Sequence, residues 1–111
     1  MHAKLVPLVN PDGYEFSRNE DRQWRKNRRK NPGSKCFGVD LNRNFAKKFG
    51  TASSKNPCDE DFRGSNAFSE PESFALKEYV EGLKSSGIKW VTKTSDVREE
   101  DILISYFTTY L

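Results

Sequence analysis

The sequence contains one histidine, His2, in 111 residues. One histidine cannot supply a metal site that needs two. Two cysteines, Cys36 and Cys58, are too few for a disulfide scaffold. They suffice for one staple around a loop of about 20 residues, which stabilises by about 3 kcal/mol in the chain-entropy treatment. No stretch approaches the ~20 apolar residues of a membrane span. Met1-His2-Ala3-Lys4 leads into only five mostly apolar residues, too short a run for a secretory leader. The chain is therefore read with no membrane partner and no signal peptide of its own.

Core-forming residues are scarce as well. Leu, Ile, Val and Phe number 24 of 111, about 22%, just above the roughly 20% below which chains tend to stay disordered. Charged residues make up 32% and the mean hydropathy is −0.87. So polar a chain reads as part of something larger, of marginal stability alone, with Ile102 to Phe107 its most aggregation-prone segment.

The charge that is present is unevenly placed. Residues 1–35 carry nine basic and four acidic side chains, and the remainder carries ten and twelve. The basic excess lies in Arg22, Arg25, Lys26, Arg28, Arg29, Lys30 and Lys35. Such a run is either a solvated loop or a surface for an anionic partner. It has one aromatic, Trp24, and no recognisable nucleic-acid motif, so nucleic acid is not expected as a partner.

Along the chain, Leu5-Val6-Pro7-Leu8-Val9 reads as a short strand weakened by Pro7. Asn10-Pro11-Asp12-Gly13 is either a turn or a helix start, with Asn10 as cap and Pro11 in first position. The acids Asp12 and Glu15 favour a helix to about Asp21. Residues 22–68 read mostly as loop. The clearest helix runs from Ser69 to about Ser86, opened by a Ser69–Glu72 capping box. Its apolar stripe is Ala75, Leu76, Tyr79, Val80 and Leu83, and Gly87 is its C-cap candidate. Ile88 to Val91 reads as a second strand, and Ile102 to Phe107 fits either strand or helix. Strand, helix and strand in this order predict an α/β fold: a partial, mixed but mainly parallel sheet with covering helices.

Two segments hold the chemistry. A guanidinium offers a fork of donors that matches a carboxylate, and it stays charged near neutral pH. An amide beside it adds another donor, so Asn42 and Arg43 can clamp a terminal carboxylate. A second arginine, Arg25, can face a developing oxyanion. The alternative is that these arginines pair with Asp21, Asp40 or Glu20.

The ordered set Val9–Tyr14, Asp21–Arg28, Gly38–Phe45 and Asn56–Glu60, followed by the helix and second strand, resembles the zinc carboxypeptidases of the carboxypeptidase A/B family. The likeness covers residues 5–91. It implies that residues 1–91 are part of that family's catalytic domain, with 92–111 a divergent tail. Arg25 then matches the arginine that polarises the scissile carbonyl and stabilises the oxyanion. Asn42 and Arg43 match the pair that binds the substrate's free C-terminal carboxylate, and Cys36 and Cys58 match the family's disulfide. Trp24 and Phe45 pack around the site. The implied partner is a peptide or protein C-terminus, and the implied setting of the intact protein is extracellular.

The family holds zinc through a His-x-x-Glu motif upstream of residue 5 and a second histidine after residue 91. Here His2 is followed by Ala3, Lys4 and Leu5, and Thr92-Lys93-Thr94-Ser95-Asp96 stands at the second place. The general-base glutamate falls beyond Leu111. The expectation is a fragment that orients a substrate without cleaving it, binding no catalytic zinc. The competing expectation is a non-catalytic binding module for peptide C-termini.

Overall fold

The computed structural model describes residues 6–85. Within them the chain forms helix α1 (Pro11–Asn19), a 3-10 turn (Leu41–Arg43) and helix α2 (Pro71–Ser85). Isolated bridges link Lys30 with Phe37 and Ser54 with Phe62. Long loops make up the rest, as the turn-rich composition of residues 22–68 predicts.

Helix α1 begins as one of the two readings of Asn10-Pro11 requires. The Asn10 side chain accepts a hydrogen bond from the Gly13 amide at 3.1 Å, and Pro11 takes the first position, where its missing N–H costs nothing. The same Asn10 donates to the Lys26 carbonyl at 3.1 Å, which ties the helix to the basic segment. The helix ends at Asn19, two residues short of the expected Asp21, where the Glu20 and Asp21 amides both close on the Phe16 carbonyl.

Helix α2 lies where periodicity places it, but two details differ. Its buried side is Ser73, Leu76, Val80 and Leu83, whereas Ala75 and Tyr79 are exposed. The stripe is therefore narrower than the sequence pattern, because a loop and not a broad sheet packs against it here. The capping box does not form as expected. Ser69 Oγ donates to Glu70 Oε2 and accepts from Asn44 Nδ2, while Glu72 accepts from Asn27 Nδ2. The helix ladder opens at the Glu70 carbonyl, which accepts from Phe74 N at 3.0 Å.

The expected sheet is not seen among the described residues. Val6 to Val9 adopt no strand there, and Val6 and Leu8 are exposed. A strand exists only through its ladder partners, and no partner segment lies beside it among the described residues. The proposed strand at 88–91, the Gly87 cap and the 102–107 segment lie outside the described residues.

The apolar core is small. Phe45, Leu76 and Val80 form its centre, with Val9 and Phe68 packed against it. Among the described residues, the seven buried hydrophobic side chains are matched by seven buried polar ones: Lys26, Asn27, Asn31, Asp40, Asn44, Glu70 and Ser73. Hydrogen bonds must therefore carry much of the organisation that packing usually provides.

Candidate functional site

The motif residues are carried by two loop segments brought together by backbone pairing. Asn27 N donates to the Val39 carbonyl at 3.0 Å, and Gly38 N donates to the Arg29 carbonyl at 2.7 Å. Gly38 has φ +86°, and a Cβ there would collide with the Asn27 carbonyl. Only glycine permits this close approach of the two segments. The disulfide Cys36–Cys58 forms, with its Cα atoms 5.0 Å apart, and ties the same region to the 51–63 loop.

Asp40 lies where the two segments meet. Its Oδ2 accepts from Arg25 Nη2 at 2.8 Å and stands 3.8 Å from Arg43 Nε. Its Oδ1 accepts from the Asn42 amide at 3.1 Å and so caps the 3-10 turn. The Arg25 and Arg43 side chains and the Asn42 backbone amide, 17 and 18 residues apart in the sequence, thus meet one carboxylate. That carboxylate is 3% exposed, while the two arginine side chains are about a third exposed. Of the ion pairs left open by the sequence, the one with Asp40 forms.

The turn is held from beneath by Asn44, which is fully buried. Its Nδ2 donates to the Arg63 and Asn66 carbonyls and to Ser69 Oγ, at 2.8, 3.1 and 2.9 Å. Its Oδ1 accepts from the Glu70 amide and the Ser73 hydroxyl. Asn44 therefore anchors the Asn42-Arg43 turn to the start of α2. Asn27 plays the matching part on the other segment. It accepts from Val39 N and donates to Glu70 Oε1 and Glu72 Oε2.

Of the basic run, Lys26 is buried and Arg25 and Arg28 are half-buried, while Arg22, Arg29, Lys30 and Lys35 are exposed. The Lys26 ammonium is buried and donates to the Pro57 and Asp59 carbonyls at 2.9 and 3.1 Å. Burial pushes its pKa below the ordinary 10.5, against the opposing pull of Asp59 and Asp40. Arg28 stacks over Phe16, Trp24 and Phe37, with its guanidinium carbon 3.6, 4.6 and 4.8 Å from the ring centres. Arg29 pairs with the buried Glu70 at 2.9 Å. Trp24 packs edge-on against Phe16, and Phe45 belongs to the apolar core.

Sequence reasoning missed Asn27, Asn44 and Lys26. The available signal was that each stands inside a matching segment beside a chemically obvious residue. Two cations held on a buried carboxylate can bind an anion and orient it.

These segments have close counterparts. A family model described as zinc carboxypeptidase matches residues 1–96. The chain belongs to the zinc carboxypeptidase family. Mouse carboxypeptidase A2 is 46% identical over 84 residues, 75% of this chain and 19% of that protein. Mouse carboxypeptidase A4 is 44% identical over 78 residues, 69% of this chain and 19% of that protein. Among solved structures, the crystal structure of carboxypeptidase A from Helicoverpa armigera superposes with a TM-score of 0.65 at 48% identity. That superposition covers 68% of this chain and 19% of the other. Bovine thrombin-activatable fibrinolysis inhibitor, solved in complex with tick carboxypeptidase inhibitor, gives 0.67 at 41% identity, over 71% and 27% of the two chains. The chain thus spans about a fifth of the length of the curated relatives it matches.

Zinc belongs to the family's chemistry. The described residues do not fit a zinc site, since no group of three or more His, Cys, Asp or Glu among them is arranged to hold a metal. Both cysteines are consumed in the disulfide. No helix among the described residues is long and apolar enough to cross a membrane.

Proposed function

We propose that this chain supplies the substrate-anchoring part of a metallocarboxypeptidase, which recognises the free C-terminus of a peptide. The observation that carries this reading is the convergence of the Arg25 and Arg43 side chains on Asp40, which also caps the turn bearing Asn42 through its backbone amide. Arg43 and the Asn42 side-chain amide grip the terminal carboxylate, and the clamp therefore selects chain ends over internal peptide bonds. Arg25 takes the position facing the carbonyl of the scissile bond, where a guanidinium stabilises the negative charge that develops on oxygen during hydrolysis.

Recognition and bond cleavage are separable in this reading. The clamp needs only guanidinium and amide groups, whereas activating a water needs groups that the described residues do not offer. In this reading the part that these residues play is to bind peptide ends and not to cleave the bond. Release of a C-terminal amino acid by the purified chain with added zinc would overturn that part. The disulfide supports an oxidising, extracellular setting.

The direct test is binding of benzoyl-glycyl-phenylalanine and of its C-terminal amide, followed by NMR at the Asn42 and Arg43 amides. The free acid is expected to shift these signals saturably, and the amide is not. Equal affinities for the two would refute the clamp.

A further inference from the structure

We infer that Asp40 is the positioning residue of this site, the shared counter-charge that holds Arg25 and Arg43 in the orientation that receives a peptide carboxylate. This rests on the reading of the site given above and goes beyond it, because Asp40 itself touches no substrate.

Two guanidiniums on different loop segments repel each other and have long, flexible stems, so proximity alone does not orient them. Asp40 corrects both problems at once. Its Oδ2 takes the 2.8 Å hydrogen bond from Arg25 and faces Arg43 Nε at 3.8 Å. Arg43 Nε is buried with no hydrogen bond of its own, so its interaction with this oxygen is electrostatic. Asp40 is in turn fixed more firmly than either arginine. Its amide donates to the Phe62 carbonyl at 2.8 Å, its carbonyl accepts from Arg43 N at 2.9 Å, and its Oδ1 caps the turn through Asn42 N.

A buried carboxylate beside an anion site is costly by itself. Its presence is explained if orientation matters more than raw attraction.

That trade-off makes the inference testable on the full chain. Asp40→Asn keeps the shape and the acceptor for Asn42 N–H but removes the negative charge. Simple attraction predicts that the free acid then binds as tightly or more tightly. Positioning predicts the opposite, a loss of about tenfold or more, the scale of one hydrogen bond to a charged group. Discrimination between acid and amide should fall with it, at unchanged helical ellipticity. If the unmodified chain discriminates acid from amide and Asp40→Asn binds the acid undiminished, the positioning role is wrong while the clamp stands. If the unmodified chain does not discriminate, the clamp reading fails first and the positioning role fails with it.

A second measurement needs no variant. In the unliganded chain the Nε–H groups of Arg25 and Arg43 should show backbone-like order by 15N relaxation, with exposed Arg22 as the mobile reference. Mobility of Arg25 and Arg43 equal to that of Arg22 would overturn the inference even where the substituted chain does not fold.

Discussion

Replacing Asn44 with alanine should cost this chain more than any single apolar truncation. The side chain is fully buried and makes contacts to five groups: two carbonyls, two hydroxyls and the Glu70 amide. A net contribution near 1 kcal/mol per hydrogen bond gives about 4 kcal/mol for its four donor and acceptor positions. The stranded Arg63 and Asn66 carbonyls and the Glu70 amide add to this, since unsatisfied buried groups cost about 1–3 kcal/mol each unless water enters. A loss of about 4–5 kcal/mol rivals the lower end of typical domain stability, about 5 kcal/mol. Urea unfolding followed by ellipticity at the helix band measures it. With a slope of about 2 kcal/mol per molar, the midpoint should fall by about 2 M, or the variant should be unfolded in buffer. Ser73→Ala removes one partner of Asn44 Oδ1 and should cost only about 1 kcal/mol. An Asn44→Ala shift no larger than that of Ser73→Ala would refute the anchoring role, because the network would then be closing around water.

Other outcomes follow from the same contacts. Removing the disulfide as Cys36→Ser with Cys58→Ser should lower stability by about 3 kcal/mol by freeing a loop with 22 residues of separation, read from the same urea midpoint; no change would show that the unfolded chain is already compact there. Val80→Ala should cost about 2 kcal/mol from the centre of the small core, while Tyr79→Ala, on the exposed side, should stay within about 0.5 kcal/mol. Lys26 gives a pH signature. Its folded pKa is lowered by burial, so the unfolded chain binds that proton more tightly, and the stability owed to Lys26 rises with pH up to the ordinary 10.5. The urea-midpoint difference between the unmodified chain and Lys26→Met should therefore move in favour of lysine between about pH 8 and about pH 10. Movement the other way would show that the buried ammonium is stabilised by its carbonyl partners more than burial penalises it.

Local signals proved legible where a feature depends on near neighbours in the chain. Asn10 caps α1 because its own side chain reaches an amide three residues on, and Pro11 fits only a first helical position. The long loop and α2 were readable for similar reasons. Features that depend on distant partners were not. The basic run looks like an open face until Glu70, Asp40 and the Pro57 carbonyl are seen to meet it. The 69–72 segment reads as a capping box, yet Asn44, 25 residues upstream of Ser69, takes over its hydroxyl. Tyr79 belongs to the stripe by spacing, but a stripe is buried only as widely as the surface that meets it. Hydropathy cannot reveal that Asn27 and Asn44 are interior, since a buried asparagine is recognised only by the groups that satisfy it.

The parity of polar and apolar side chains in the interior bears on how the site works. Apolar packing is non-directional and tolerates small rearrangements, so it stabilises without fixing angles. A satisfied hydrogen-bond network does the reverse: its net energy is modest, but each bond constrains distance and direction. The loop bearing Arg25, Asn42 and Arg43 is held at both ends by such bonds, through Asn27 on one segment and Asn44 on the other, and both converge on Glu70 at the start of α2. The orientation of the proposed clamp is therefore tied, among the described residues, to the start of one helix. This division explains why a region poor in core residues can still set guanidinium geometry. It also implies that damage to Asn27 or Asn44 will degrade carboxylate selectivity together with stability, whereas damage to Val80 will reduce stability and leave the selectivity of the folded fraction unchanged.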